Sequence, residues 1–232
     1  MRRGWVWVLV FAGTGFAISA LSSGELALRR DTVVLGYLLV ATPVVVAFLR
    51  RFPSAARALA RNWGRGIVGG LVLGAVLTLS VLRQPGSASP SGAHLVFALL
   101  WLGLVYGVLD GLLLTVLPVQ AIERSRKAER RSARVWRAGA AMAASLGVTA
   151  AYHLGYQEFR GSRLMDPIVG NAVITAGYLL TGSAATPVIG HVMMHGAAVL
   201  HGMETAAQLP PHYPPRSAEP MATPAGRVDT DR

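Results

Sequence analysis

Apolar residues along this chain come in long unbroken runs, without the alternation of a half-buried strand or the single stripe of a surface helix. Seven runs stand out, at about residues 5–21, 33–49, 66–82, 94–118, 138–157, 167–180 and 184–203. Crossing the hydrocarbon of a bilayer as a helix takes roughly 20 apolar residues, and without water to satisfy the backbone only helices or closed barrels cross. A barrel requires apolar and polar residues in alternation, which these runs lack. The pattern therefore predicts an all-α fold, a multi-pass transmembrane helical bundle of about seven spans, of which 167–180 is the shortest. Between the runs, "RQPGSASPSG" (83–92) reads as an exposed loop and "ERSRKAERRSARVWR" (123–137) as a helix-forming basic segment on the inner membrane face. Residues 207–232 hold six prolines and too few apolar groups to offset the entropy of ordering, which predicts a disordered tail. The chain thus divides into N-terminal spans (1–93), a core of helices (94–206) and the tail.

Composition agrees with this reading. The 232 residues are 53% hydrophobic and 14% charged, with a mean hydropathy of +0.46, too apolar for a soluble domain of this size. The first run follows Arg2 and Arg3 as a secretory signal would, but its length, its tryptophans and the further spans favour a membrane helix. The net charge of +11 comes from Lys and Arg at the ends of runs, which argues against nucleic acid as a partner and for an orientation signal. With the N-terminus in the cytoplasm, fourteen Lys and Arg lie inside and eight outside. The expected location is a cell membrane, N-terminus cytoplasmic and C-terminus extracytoplasmic. Cysteine is absent, so disulfides and thiolate metal sites are excluded, and any metal must use His, Asp or Glu.

Chemistry enters through the polar residues inside the runs. Gly66, Gly70 and Gly74 lie at steps of four in the third run, and Gly103, Gly107 and Gly111 do so in the fourth. Each set forms one helical face on which backbones can approach closely. Asp110 shares the second of these faces and so points into the bundle, where a carboxyl is costly and marks either function or a packing hydrogen bond. "TGSAATPVIGHVMMHGAAVLHG" (181–202) carries three histidines. His191 and His195, four apart, share a face and can address one ion or one substrate oxygen, while His201 points elsewhere and suits the end of the span.

These residues carry a resemblance. "TGSAATPVIGHVMMH" resembles the last signature of the CAAX-protease and bacteriocin-processing intramembrane proteases, in which T-G-S precedes a Pro and then His-x-x-x-Asn. Here Thr181, Gly182, Ser183, Pro187 and His191 match, and His195 takes the Asn place. "VTAAYHLGY" is similar to the middle signature, F-x-x-x-His, with His153 in the His place and Thr149 for Phe. The first signature, E-E-x-x-x-R, falls on "VQAIER", which keeps Arg124 but puts Val119 and Gln120 in the two Glu places. The resemblance spans about residues 94–203 and implies peptide-bond hydrolysis within the membrane, with a membrane protein or peptide as substrate. It further implies a Glu as general base, with histidines and Asn holding water and oxyanion.

Val119 and Gln120 supply no base. Asp110 lies ten residues before Gln120, roughly 15 Å along a straight helix, so the expected replacements are Glu123, on the face of Val119, and Glu158, five residues after His153. The expected site is therefore His153, His191, His195, Glu123, Arg124 and Glu158. Because His195 replaces an amide by a third imidazole, His153, His191 and His195 are also a candidate zinc site, three imidazoles with one open position for water. Two other readings stay open: a non-enzymatic scaffold that binds a membrane partner on its glycine faces, and an ion or proton transporter using Asp110 and the histidines, which the absence of internal repeats weakens.

Overall fold

The computed structural model describes residues 2–22, 26, 28–124 and 131–202. The proline-rich tail expected to be disordered, and residues 125–130 of the basic segment, lie outside the described residues. The described chain forms eight helices and no strand: α1 (Arg2–Ala20), α2 (Arg30–Arg51), α3 (Pro53–Leu59), α4 (Trp63–Leu82), α5 (Gly92–Glu123), α6 (Arg131–Leu154), α7 (Met165–Thr181) and α8 (Ala185–His201). The fold is all-α, as the apolar runs predict.

Among the described residues, five stretches are long and apolar enough to cross a bilayer: Arg3–Ala20, Arg30–Arg51, Trp63–Leu82, Gly92–Glu123 and Ser162–Thr181. They make this a membrane protein, and large apolar side chains turned outward, such as Leu9, Leu39, Val72 and Leu180, fit contact with lipid. The shortest run in the sequence becomes one of the five because the turn before it extends it to 20 residues. The runs at 138–157 and 184–203 are helices too, but α6 opens on Arg131, Arg134 and Arg137, and α8 has only 17 residues. Neither is among the five.

α5 is longer than its run suggests, with 32 residues. It alternates in geometry: Leu99–Val105 and Gly111–Val116 are π-helical, and Tyr106–Asp110 between them is α-helical. A step of four residues overshoots one turn of α-helix and falls short of one π turn. Alternation therefore cancels the drift, and Gly103, Gly107 and Gly111 stay on one line.

That line is where α8 seats. A Cβ on Gly107 would lie 2.8 Å from the Val192 Cα, and one on Gly111 would lie 2.9 Å from the Val188 Cα. On its other side α8 meets the second ladder, since a Cβ on Gly70 would lie 2.7 Å from the Ile189 Cβ and one on Gly74 2.9 Å from the Met193 Cβ. The two ladders read from sequence thus grip a single helix between them, and the close approach of α5 and α8 has the small-residue logic of membrane packing. Trp7 and Phe11 of α1 interlock with Phe48 of α2 and with Phe52 just beyond it.

A polar knot joins α5, α6 and α7. The Asn171 amide donates to Ser145 Oγ at 2.9 Å and to Thr149 Oγ1 at 2.7 Å, and its oxygen accepts from Thr115 Oγ1 at 2.7 Å. Ser145 in turn donates to the Leu114 carbonyl at 2.6 Å. All are buried, so Asn171→Leu strands several donors and acceptors at once. An unsatisfied buried group costs about 1–3 kcal/mol. The expected result is a loss of about 2–4 kcal/mol in an unfolding titration in mixed detergent. Val173→Leu, at an outward-facing position on the same helix, is the control and is expected to leave the midpoint unchanged.

Candidate active site

α8 starts from the T-G-S turn. Gly182 takes a φ of +64°, the left-handed conformation that glycine tolerates, and its N–H closes α7 on the Tyr178 carbonyl at 2.8 Å. Thr181 Oγ1 pairs with Thr186 Oγ1 at 2.8 Å, and Asn62 Nδ2 donates to the carbonyls of Thr181 and Gly182 at 3.4 Å. Pro187 sits in the first turn of α8, where its missing N–H leaves no helical bond unmade. The stretch ends one helix and begins the next, and Thr181, Gly182, Ser183 and Pro187 stand outside the cavity that holds the histidines.

That cavity has a volume of about 920 Å³ and is lined by Asp110 of α5, His153 of α6, His191 and His195 of α8, Asn171 of α7 and Glu158 of the turn after α6. His191 Nδ1 donates to the Pro187 carbonyl at 2.9 Å, and His153 Nδ1 to the Thr149 carbonyl at 2.8 Å. A carbonyl only accepts, so each bond fixes the proton on Nδ1 and leaves Nε2 of the neutral ring as a lone-pair acceptor. His195 is held differently. Its Nε2 lies 3.3 Å from Asp110 Oδ2, with both side chains buried. The His191 and His195 rings lie 6.2 Å apart and nearly parallel, and the Tyr106 ring stands edge-on to His195 at 4.5 Å. Asp110 Oδ1 and His195 Nδ1 are buried and make no hydrogen bond among the described residues, and the Tyr37 hydroxyl sits beside the Asp110 carboxyl.

Two expectations are corrected. Glu123 and Arg124 are not in this cavity; they line a separate one of about 150 Å³ toward the other end of α5, with Gln120 and Tyr178. α5 runs on through Pro118, so Glu123 is carried about three turns along the axis from Asp110. The carboxylate beside the histidines is Asp110, and Glu158 joins it in the cavity wall. The zinc arrangement is corrected as well: among the described residues no three or more His, Asp or Glu are grouped to hold a metal ion. The reason is orientation, since His195 Nε2 faces Asp110 and its ring stacks on His191 instead of converging with it. His201 lies at the end of α8, where its Nε2 donates to the Gln84 carbonyl at 2.7 Å and ties the helix to the 83–92 loop.

Burial pulls the Arg124 guanidinium below its ordinary value, and Tyr178 and Glu123 act against that shift. Sequence reading missed the tyrosines. The hydroxyls of Tyr106 and Tyr152 are 2.6 Å apart and those of Tyr152 and Tyr156 2.9 Å, and the Tyr37 ring stacks on Tyr152 at 5.7 Å. These residues come from α2, α5 and α6 and the turn beyond it; the four-residue step from Tyr152 to Tyr156 was there to be read, but the meeting with Tyr37 and Tyr106 was not. Compared with protein-family models, with curated proteins and with solved structures, the chain matches none.

Proposed function

We propose that this protein is a membrane-embedded hydrolase that cleaves a peptide bond of a membrane protein or peptide, with Asp110 as the carboxylate of its active site. The observation that carries the reading is the buried Asp110–His195 contact in the wall of a cavity shared with His153 and His191. It supplies the acid–base group that Val119 and Gln120 cannot. A proton shared between Asp110 Oδ2 and His195 Nε2 lets the pair take one from water. The Nε2 atoms of His153 and His191 are acceptors, and one of them holds that water by one of its two protons, which leaves the other proton for the pair. As its oxygen attacks the carbonyl carbon, its proton passes to the Asp110–His195 pair. Collapse of the tetrahedral adduct breaks the C–N bond, and the same proton goes to the leaving amine.

The cavity walls suit such a substrate. Val76 and Leu79 of α4 and Val169 and Val173 of α7 line it while facing outward, which opens a lateral path from lipid. Arg83, Arg163 and Asp166 line it at the helix ends and give water a polar route. In the orientation favoured by the basic residues, with the N-terminus cytoplasmic, these ends lie on the outer side. The scaffold reading loses its docking faces, because both glycine ladders are covered by α8.

The test is cleavage of prenylated or membrane-spanning peptides by the purified protein in ¹⁸O-labelled water, read by mass spectrometry. Wild type is expected to place one labelled oxygen in the new carboxylate, Glu123→Gln to do so at the wild-type rate, and His153→Gln and His191→Gln to be slowed at least tenfold, within the range of lost proton-transfer groups at about 10²–10⁴. Cleavage without label, or equal rates in wild type and both histidine variants, would overturn the proposal.

A further inference from the structure

The second cavity, between the end of α5, the α3–α4 turn and the end of α7, has a chemistry of its own. It is lined by Arg61, Asn62, Gln120, Glu123, Arg124 and Tyr178. Arg57 and Arg61 lie close enough to Arg124 to act on it electrostatically, and Arg137, Arg124 and Arg61 act likewise on Glu123. Three guanidiniums thus act on one carboxylate, and a fourth, that of Arg57, acts on Arg124. Three helices end here, and the carbonyls at the end of α7 absorb some of the available donors: Arg65 donates to the Leu180 carbonyl and Asn62 to those of Thr181 and Gly182. Arg61 and Arg124 are not used in this way among the described residues, and the buried Arg124 Nε has no partner.

Inside the cavity, Gln120 is buried with only 1% of its surface exposed, and its Oε1 makes no hydrogen bond. Its amide nitrogen donates to the Tyr178 hydroxyl at 3.2 Å. That arrangement leaves the Tyr178 O–H and a second amide N–H unspent. With the amide turned over, Tyr178 would donate to Oε1 and both amide protons would be left. In either case the cavity floor presents donors, and its rim presents guanidiniums. The level is right for a lipid headgroup, since Trp63 stands exposed at the start of the α4 span beside Asn62, as tryptophans do at the membrane interface.

We propose that this cavity binds a phosphate group, held by Arg61 and Arg124 at the rim and by Tyr178 and Gln120 within, and that its source is the headgroup of an anionic phospholipid. Planar guanidiniums match phosphate oxygens, and basic pockets between membrane helices are suited to such headgroups.

The experiment measures binding to the full chain in nanodiscs of phosphatidylcholine with increasing phosphatidylglycerol, by native mass spectrometry and by melting temperature, with inorganic phosphate in a parallel series. Each arginine near a membrane surface contributes about 1 kcal/mol. Arg61→Gln with Arg124→Gln is therefore expected to weaken phosphatidylglycerol binding about thirtyfold, at about 1.4 kcal/mol per tenfold, with an unchanged melting temperature in phosphatidylcholine alone. Arg61→Lys with Arg124→Lys tests geometry and is expected to recover only part of the loss, and Tyr178→Phe to weaken binding without changing the rim charge. Inorganic phosphate that raises the melting temperature of wild type but not of the Gln variant would support the phosphate site and overturn the lipid source. Equal phosphatidylglycerol binding by wild type and the Gln variant would overturn the proposal. Because Glu123 and Arg124 lie outside the histidine cavity, neither result depends on whether the protein hydrolyses peptides.

Discussion

Asp110→Asn is expected to slow peptide cleavage by about 10²–10⁴-fold, the contribution of a positioned acid–base group. The substitution keeps the size of the side chain, and an amide can still hydrogen-bond His195 Nε2 across the 3.3 Å contact. What it removes is the capacity to hold a proton and to stabilise a protonated His195. The variant should therefore fold, with a melting temperature in detergent close to that of wild type, and fail at the proton-transfer step. Asp110→Glu, which keeps the carboxylate but moves it, should recover part of the rate, whereas a purely structural Asp110 would let Asn perform at least as well as Glu. A variant Asp110→Asn that cleaves at the wild-type rate would remove Asp110 from the chemistry.

One added methyl group is expected to lower stability and activity together. Gly107→Ala places a Cβ 2.8 Å from the Val192 Cα and 2.9 Å from its nitrogen, a contact with backbone that no side-chain rotation relieves. Either α8 moves away from α5 or the helix distorts, and overpacking of this kind costs about 1–3 kcal/mol or more. Because α8 carries His191 and His195 while α5 carries Asp110, the same displacement should lengthen the Asp110–His195 contact and lower activity. Gly36→Ala is the matched control. It also lies within a helix, but nothing stands within 4 Å of its Cβ position, so it should be neutral or stabilise by up to about 1 kcal/mol through helix propensity. Unfolding titrations of both variants decide the matter: equal midpoints would show that α8 is not seated on the Gly103–Gly111 line.

The glycine ladders show how far a sequence can be read. Steps of four fix a common face from helix geometry alone, and so Gly66, Gly70 and Gly74, Gly103, Gly107 and Gly111, and the facing pair His191 and His195 were all legible in the sequence. The inward direction of Asp110 was legible for the same reason, and its burial to 4% exposure agrees. Its partner was not. Asp110 and His195 are 85 positions apart, and which residues of two helices meet depends on their relative depth, which local periodicity does not contain.

Glu123 shows the opposite side of that limit. On the sequence it was a near neighbour of the Glu places, but the length of α5 carries it to a different cavity. Asn171, Tyr106, Tyr152 and Tyr156 escaped sequence reading because their partners on other helices are set by how those helices cross, which the pattern along one helix does not contain. Apolar runs too long for a soluble core by themselves determined that this is an all-α membrane protein, because a bilayer leaves the backbone no partner but its own helix. Which helix lies between the two glycine ladders, and hence which carboxylate meets which histidine, was decided only by tertiary packing, where a few ångströms of helix register select one set of contacts from many.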